Sequence, residues 1–413
     1  MDDATYRAYP YRWAVLVSFM LVNLVMQALW IDFSPIMRDA AAFYGVSETA
    51  IGFLAISFMI IFIPLSIPAS WAIDRFGFRK STGFGVVLMA LFAVFRAAAG
   101  PSFALVMAGT AGLAVAQPLL MNSWTKVAAH WFPVRERATA VGLVTLANLM
   151  GIALGMLVSP ALEKLMSVGS SQWVYAAAAL ITTLAYLALA RENPPEPSGP
   201  TGSGEKALML DGLKHALSVP SFKLFLAVTF VGMGLFNGIT TWIDPIVASR
   251  GFSASEAGDF GALLLVGGLF GAVAIPALSD WTGRRKPWMM LGLVASLPGL
   301  AGMAFARGFW LVAASSFFLG FFITSVMPVG MQYATDAARP TPEGTSNGLV
   351  QLCGQLSFVF VILMQLIHDR TGEFTSSLVA SGVFVAAAAA LVVFMKEEKR
   401  GAVPAAEAES GEA

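Results

Sequence analysis

Long apolar runs, interrupted by short polar segments, make up most of this chain of 413 residues. A helix needs roughly 20 apolar residues to cross a bilayer core about 30 Å thick, and every run reaches that length. Backbone groups surrounded by lipid must bond within their own segment, so the pattern predicts transmembrane α-helices. The twelve predicted spans are 12–36, 49–72, 80–99, 103–129, 137–161, 171–191, 220–247, 255–278, 287–306, 308–335, 344–367 and 373–395.

The composition also predicts an all-α polytopic membrane protein. Hydrophobic residues make up 57% of the chain and charged residues 12%, whereas about a quarter of the residues in a soluble protein are charged. The formal net charge is zero, so no nucleic-acid partner is expected. The single cysteine, Cys353, excludes an intramolecular disulfide. The first apolar run is too long for a cleaved signal peptide, so we expect it to remain as a membrane anchor.

The basic residues predict the orientation of the chain in the membrane. With twelve spans both termini lie on one face, and that face holds 19 of the 25 Lys and Arg residues. Positively charged loops stay in the cytoplasm. We therefore expect a protein of the inner membrane with both termini cytoplasmic.

A short charged turn occurs twice, between corresponding pairs of apolar runs. Residues 74–80 read D-R-F-G-F-R-K, and residues 280–286, 206 positions later, read D-W-T-G-R-R-K. Each copy has an acid at the end of one helix, a glycine that permits a reversal and basic residues at the start of the next helix. The repeat predicts two similar halves.

The connection between the halves is rich in proline and glycine and is predicted to be a linker. It continues into 205–217, where Leu210, Leu213 and Leu217 fall on one helical face, as in a helix that lies on the cytoplasmic membrane surface. The predicted organisation is an N-terminal six-helix bundle (1–191), a cytoplasmic linker with this amphipathic helix (192–218), a C-terminal six-helix bundle (219–396) and a disordered acidic tail (397–413).

Amide side chains recur at the middle of several spans. Polar groups are costly at that depth and usually functional, although any one of them could instead join two helices by a hydrogen bond. Three predicted helices carry such residues on one face: Asn23, Gln27 and Trp30; Asn237, Thr241 and Asp244; Gln351 and Gln355. Taken together, the set predicts a solute-binding cavity lined by Gln27, Trp30, Gln117, Asn148, Asn237, Thr241, Trp242, Asp244, Gln351 and Gln355.

A second repeat lies above these amides. The sequence W-I-D occurs at 30–32 and again at 242–244, 212 positions later. Indole faces and carboxylates attract ammonium groups, so the repeat suits a cationic solute; the alternative is an aromatic belt at the membrane interface. Trp30 and Asp32 point about 200° apart on an ideal helix. Because Trp30 shares the face of Gln27, we expect Trp30 and not Asp32 to face the cavity.

The charged turn resembles the D-R-x-G-R-K signature of the major facilitator superfamily, with Phe78 in place of an arginine and Ser70 in place of the leading glycine. Residues 132–142 resemble the loop of that superfamily between helices four and five. The resemblance implies two pseudo-symmetric six-helix bundles that rock about a central site, with Asp74 pairing with Arg137 when the cytoplasmic side is closed. Alternatively, the basic residues only anchor the loops by their charge. The gating residues expected are Asp74, Arg75, Gly77, Arg79, Lys80, Arg137, Asp280, Gly283, Arg284 and Arg285.

Several segments also resemble the feline leukaemia virus subgroup C receptor-related carriers and their prokaryotic relatives, a family known for choline and ethanolamine uptake, with haem transport also proposed. They are the first span to Ile36, A-V-A-Q ending at Gln117, and G-L-F-N-G around Asn237. The resemblance implies that Trp30 cages a quaternary ammonium group and that Gln117 binds beside it. The family's second caging ring, a tyrosine, falls on Asn237, and Trp242 is the alternative source of a ring.

These observations predict a secondary carrier of a small organic solute, with a small amine or quaternary ammonium compound as the first candidate. An alternative is a proton-coupled symporter of an organic anion, with Asp32 or Asp244 carrying the proton; Arg96, expected to be an interface anchor, would supply the counter-charge. A non-transporting sensor or scaffold is the alternative from another class. No catalytic, metal-binding or cofactor-binding pattern occurs, so no enzyme is expected. The expected partners are the solute, the lipid bilayer and, in the symporter alternative, protons; the chain is expected to act as a monomer.

Overall fold

The computed structural model describes residues 9–195, 210–338, 341 and 343–396. In that part of the chain, twelve helices are long and apolar enough to cross a membrane, which confirms the predicted number and the all-α class. We call the end of the bundle that holds residue Arg12 and the turn at 74–80 the inner end, following the predicted orientation, and the opposite end the outer end. Three predicted segments lie outside the described residues: the start of the N-terminal bundle (1–8), most of the linker (196–209) and the tail (397–413).

The helices divide into two sets of six spans joined by one short helix. The first set comprises α1 (Arg12–Ile31), α2 (Met37–Tyr44), α3 (Glu48–Phe76), α4 (Phe78–Ala98), α5 (Phe103–Met121), α6 (Trp124–Trp131), α7 (Val134–Glu163) and α8 (Val168–Leu189). The linker helix is α9 (Leu210–Ser218). The second set comprises α10 (Pro220–Thr241), α11 (Ile243–Ala248), α12 (Ala254–Thr282), α13 (Lys286–Phe305), α14 (Phe309–Ala337), α15 (Glu343–Leu356), α16 (Phe358–Thr371) and α17 (Phe374–Phe394).

Four spans are interrupted, which the apolar pattern did not predict. The first span ends its α-helix before Asp32 and continues through a 3-10 turn into α2; the seventh breaks at Trp242 and the eleventh at Ser357. The fourth breaks at Asn122, whose side-chain amide donates to the backbone oxygen of Ser66 at 3.0 Å. Breaks at membrane depth are tolerated where neighbouring protein groups satisfy the freed backbone and polar atoms.

Glycines allow helices to approach closely inside each half. A Cβ atom at Gly151 on α7 would collide with the backbone oxygen of Leu24 on α1, and one at Gly271 on α12 would collide with that of Phe321 on α14. Close backbone approach through small residues is the usual way in which membrane helices gain packing energy. These contacts hold α1 against α7, and α12 against α14.

The two halves touch at the outer end. Gly258 and Gly261 on α12 face Met156 on α7, and the Gln365 amide donates to the Thr49 hydroxyl at 2.9 Å. At the inner end, a Cβ atom at Gly142 or Gly348 would meet open space, and both glycines are exposed.

The linker helix α9 overlaps the predicted amphipathic segment. Ala216 is buried and Leu217 is exposed, and the Thr341 hydroxyl donates to the Gly212 backbone oxygen at 3.2 Å. The helix therefore contacts the second half. Whether its apolar face lies on the membrane stays a prediction.

Candidate functional site

Gln27 and Trp30 lie one turn apart on α1, as predicted. The Gln27 amide nitrogen is 3.9 Å from the Met121 sulfur, a weak acceptor, and its amide oxygen is buried without a donor among the described residues. Trp30 is 9% exposed, and its indole nitrogen donates to the Ala55 backbone oxygen at 3.0 Å. That bond fixes the ring against α3, whereas the Gln27 oxygen remains available to a ligand or water.

Two further amides of the first half lie on helices that contact α1. Gln117 is buried one turn before Met121 on α5, and so on the same helical face as the atom that Gln27 approaches. Asn148 is buried on α7, and neither its amide oxygen nor its amide nitrogen has a partner within the described chain. An unsatisfied buried polar group costs about 1–3 kcal/mol. A ligand or water that bonded to these atoms would remove that cost.

The second half contributes amides beside the break in its eleventh span. The Asn237 amide on α10 donates to the Ser357 hydroxyl at 3.1 Å, and Ser357 is the residue at the break. Gln351 and Gln355 are half-buried on one face of α15, immediately before the break. The structure therefore groups these three predicted residues at the junction of α10 with α15.

Three predicted substrate-site residues lie instead in the closure of the outer end. The stripe from Asn237 to Asp244 is interrupted because α10 ends at Thr241 and α11 begins at Ile243. Thr241 is fully buried, and Trp242 is 1% exposed with its indole nitrogen bonded to the Val361 backbone oxygen at 3.1 Å. The Trp242 ring packs on Gly52 of the first half, where a Cβ atom would overlap it.

Asp244 joins the two halves by an ion pair with Arg38 that the sequence analysis missed. One carboxylate oxygen accepts from the Arg38 backbone N–H at 2.9 Å, and the other accepts from the guanidinium Nε at 2.9 Å and Nη2 at 2.7 Å. The repeat contained a signal for this arginine. In both copies an arginine lies six positions after the aspartate of the W-I-D sequence: Arg38 after Asp32 and Arg250 after Asp244.

Asp32 also pairs with an arginine, within the first half. The Arg96 Nη2 donates to an Asp32 carboxylate oxygen at 2.5 Å and its Nη1 donates to the Leu29 backbone oxygen at 3.1 Å. Both side chains are 1% exposed. The expectation that Arg96 anchors the chain at the membrane interface is wrong, because this buried carboxylate holds it inside the bundle. The Asp32 carboxylate is therefore paired within its own half, and the expectation that Trp30 rather than Asp32 faces the cavity stays a prediction.

The duplicated charged turns lie at the inner end. Asp74 pairs with Lys126, which the sequence analysis missed, and Asp280 pairs with Arg285 at 2.7 Å. The Arg137 guanidinium donates to the backbone oxygens of Phe132 and Ala129 at 3.2 and 3.0 Å. The Asp74–Arg137 pair was expected when the inner end is closed, and it stays a prediction.

Both predicted reversals occur at glycines with left-handed backbone, Gly77 at φ +85° and Gly283 at φ +66°. Arg75 extends from the end of α3 with its guanidinium over the Trp71 ring, 5.5 Å from the centroid. The remaining basic residues among the predicted gating set, Arg79, Lys80 and Arg284, are exposed.

Glu192, just after α8, secures the start of α4. Its carboxylate accepts from the backbone N–H of Phe78 at 2.9 Å and of Arg79 at 2.7 Å. The first N–H groups of a helix lack partners within the helix and attract negative charge. No sequence pattern indicated this contact, because Glu192 lies more than 110 residues from the turn that it caps.

Comparison with known proteins supports one fold and one family. The family model described as Major Facilitator Superfamily matches residues 14–360 and 245–412. A bacterial homologue of the human lysosomal transporter Spinster, in an inward-facing and unoccupied conformation, has the same fold with a TM-score of 0.78 and 18% identity, over 94% of this chain and 98% of that one.

Two related transport proteins match this chain over most of their own length. Solute carrier family 49 member A3 of Danio rerio is 30% identical over 96% of this chain and 90% of its own. The choline/ethanolamine transporter FLVCR2 of Rattus norvegicus is 28% identical over 97% of this chain and 77% of its own. With a family match across the whole transmembrane region and twelve membrane-spanning helices, this chain is a transporter of small organic solutes, not an enzyme, and belongs to the Major Facilitator Superfamily.

Proposed function

We propose that the protein carries a small amine or quaternary ammonium solute across the inner membrane by alternating access. The observation that carries the proposal is that two buried amides of the first half, Gln27 and Asn148, have unused polar atoms, and that Gln27 lies one helical turn from the indole of Trp30. A quaternary ammonium group has no N–H to donate, so it binds to aromatic faces and to the negative ends of amide dipoles. The proposed lining is completed by Gln117, Asn237, Gln351 and Gln355.

The ion pairs favour a cation over the alternative organic anion. Arg96, the proposed counter-charge of the anion, already pairs with Asp32 in the protein interior, and Arg38 pairs with Asp244. An anion at the amides would therefore lack a basic partner from these arginines, whereas amide oxygens and an indole face suit a cation. Relatives named choline/ethanolamine transporters support the same solute class.

The structure, closed at its outer end, fits the inward-facing state of such a cycle. In this proposal the amides are reached from the cytoplasm, where both termini lie. Opening the outer end would require Arg38 to leave Asp244 and Trp242 to leave Gly52.

A thermal-shift screen of the purified protein tests the solute class. Choline, ethanolamine and tetramethylammonium should raise the melting temperature, because a ligand present at 100 times its Kd stabilises the folded state by about 2.7 kcal/mol. Carboxylates and sugars should not. Trp30→Ala should abolish the shift, and Trp30→Phe should retain part of it.

Trp310→Ala is the matched control, since Trp310 is 83% exposed on the outer part of α14. A shift produced by carboxylates alone, or an unchanged choline shift in Trp30→Ala, would contradict the proposal.

A further inference from the structure

Asp244 depends on the opposite half for its counter-charge. Its side chain is fully buried, and every hydrogen bond that its carboxylate accepts in the described structure comes from Arg38. Arg38 belongs to the first half and Asp244 to the second. Movement of the halves apart at the outer end would therefore remove all of these donors at once.

The other aspartate of the W-I-D repeat does not depend on the opposite half for its counter-charge. Asp32 corresponds to Asp244 in the W-I-D repeat, but its counter-charge, Arg96, comes from its own half and moves with it. Arg250, which corresponds to Arg38, donates to the backbone oxygens of Ala306 at 2.8 Å and Ile246 at 3.3 Å, also within one half. Of the two repeated carboxylates, only Asp244 loses its charge partner when the outer end opens.

Opening also uncovers an aromatic ring beside the same carboxylate. Trp242 lies two residues before Asp244, and its ring packs against Gly52 of the first half. The bond from its indole nitrogen to the Val361 backbone oxygen stays within the second half, so the ring keeps its position when Gly52 withdraws. An indole surface and a carboxylate without its partner would then face the outside together.

The contact with Arg38 is reachable from the outer surface. Arg38 has a side-chain exposure of 36% and lines an outer cavity of about 310 Å³ between the halves, together with Asp39, Glu163, Lys164 and Ser253. A solute that enters this cavity meets Arg38 before Asp244. The cation that Asp244 needs after opening can therefore come from the outside solution.

We propose that Trp242 and Asp244 form a second, transient site on the outer side, where the ammonium group of an arriving solute replaces the Arg38 guanidinium. Opening leaves the Asp244 carboxylate without its counter-charge, so an incoming cation that binds there stabilises the outward-open arrangement. The carboxylate supplies the attraction and the indole face supplies cation–π contact. This inference rests on the proposed function, because it needs a cationic solute.

Uptake kinetics in intact cells expressing the full chain test the exchange. Arg38→Gln and Asp244→Asn both remove the ion pair between the halves, so both weaken the closure of the outer end. They differ in whether the carboxylate remains. With radiolabelled choline outside, Arg38→Gln should lower the apparent KM severalfold, because a competitor for Asp244 is gone, and Asp244→Asn should raise it about tenfold or more.

Arg250→Gln is the matched control and should leave the KM unchanged, since Arg250 bonds only to backbone oxygens in its own half among the described contacts. Asp244→Glu and Trp242→Phe, which keep the charge and the ring, should have smaller effects than Asp244→Asn and Trp242→Leu. If Asp244→Asn or Trp242→Leu does not reach the membrane, the KM values of Asp244→Glu and Trp242→Phe still test the proposal.

If KM shifts in the same direction in Arg38→Gln and Asp244→Asn, the ion pair only holds the outer end closed. That result would contradict the proposal that the solute replaces Arg38 at Asp244. If the wild-type protein takes up and binds no amine, the proposed function fails, and the exchange fails with it. The wild-type measurement alone therefore separates the two failures.

Discussion

At the scale of single residues, two buried carboxylates in the same three-residue sequence have counter-charges from different halves. Asp32 and Asp244 both follow Trp-Ile at the end of a helix, and both bind an arginine. The first pair is sealed inside one half, whereas the second spans the two halves. Burial gives the first pair a structural role, because removing one member of a buried pair leaves an uncompensated charge.

Arg96→Leu and Asp32→Asn should therefore each lower the stability of the folded protein by about 3–5 kcal/mol, because each leaves one buried charge without its partner. The double variant Asp32→Asn/Arg96→Leu should recover much of the loss, because no charge is then left alone. Thermal unfolding followed by tryptophan fluorescence measures all three. Additive losses in the double variant would mean that the two side chains act independently.

The polar residues at mid-membrane depth were predictable from the sequence, but their partners were not. Apolar runs make an amide at Gln27 or Asn148 conspicuous, so the sequence alone identifies it. Whether a polar side chain faces a cavity or a neighbouring helix depends on the breaks in helices, and those at Trp242 and Ser357 left no periodic signal. The break at Trp242 explains why Thr241 and Asp244 lie in the outer closure.

At the scale of elements, the number and class of the helices followed from length and hydropathy, and the turns from glycine and charge. The cap on α4 did not, because it comes from a distant segment. Glu192 is followed, four residues on, by the part of the linker that the structure does not describe. The junction after α8 is thus bound to the turn at the inner end.

Glu192→Ala should loosen this turn, because a helix-capping side chain contributes about 1 kcal/mol, equivalent to a roughly fivefold change in the opened population. Trypsin should then cleave the solubilised protein severalfold faster after Arg79 and Lys80, as measured by mass spectrometry of the fragments. Glu373→Ala is the control, since Glu373 precedes α17 without a side-chain cap bond. Equal cleavage rates in both variants would contradict a capping role.

At the scale of the whole molecule, the closure of the outer end relies on glycines that leave room for groups of the opposite half. Gly52 receives the Trp242 ring, and Gly258 receives the backbone of α7 at Met156. Protein interiors are packed like crystals, so one added methyl group is felt. The balance between arrangements of the two halves should therefore respond to a very small change at Gly52.

Gly52→Ala should separate the halves at the outer end. Spin labels at Leu165→Cys and Arg307→Cys, on exposed outer loops of the two halves, report the separation in a Cys353→Ser background. We expect the distance distribution to shift to longer values by several ångströms. Gly142→Ala is the matched control, because a Cβ atom there meets open space. An unchanged distribution in Gly52→Ala would mean that the Trp242 ring can move aside.

Asp32 finds its counter-charge within its own half and Asp244 finds it in the opposite half, and this difference makes the two similar halves electrically unequal. In the second half the basic residue nearest the place of Arg96 is Arg307, which lies beyond the end of α13 and is exposed. If each six-helix bundle held the counter-charge of its own aspartate, neither bundle would need a charge from the other. In this structure the counter-charge of Asp244 comes from the first half and not from its own half. Under the proposed exchange, the second half is electrically neutral at this position only while it is in contact with the first half or with a bound cationic solute.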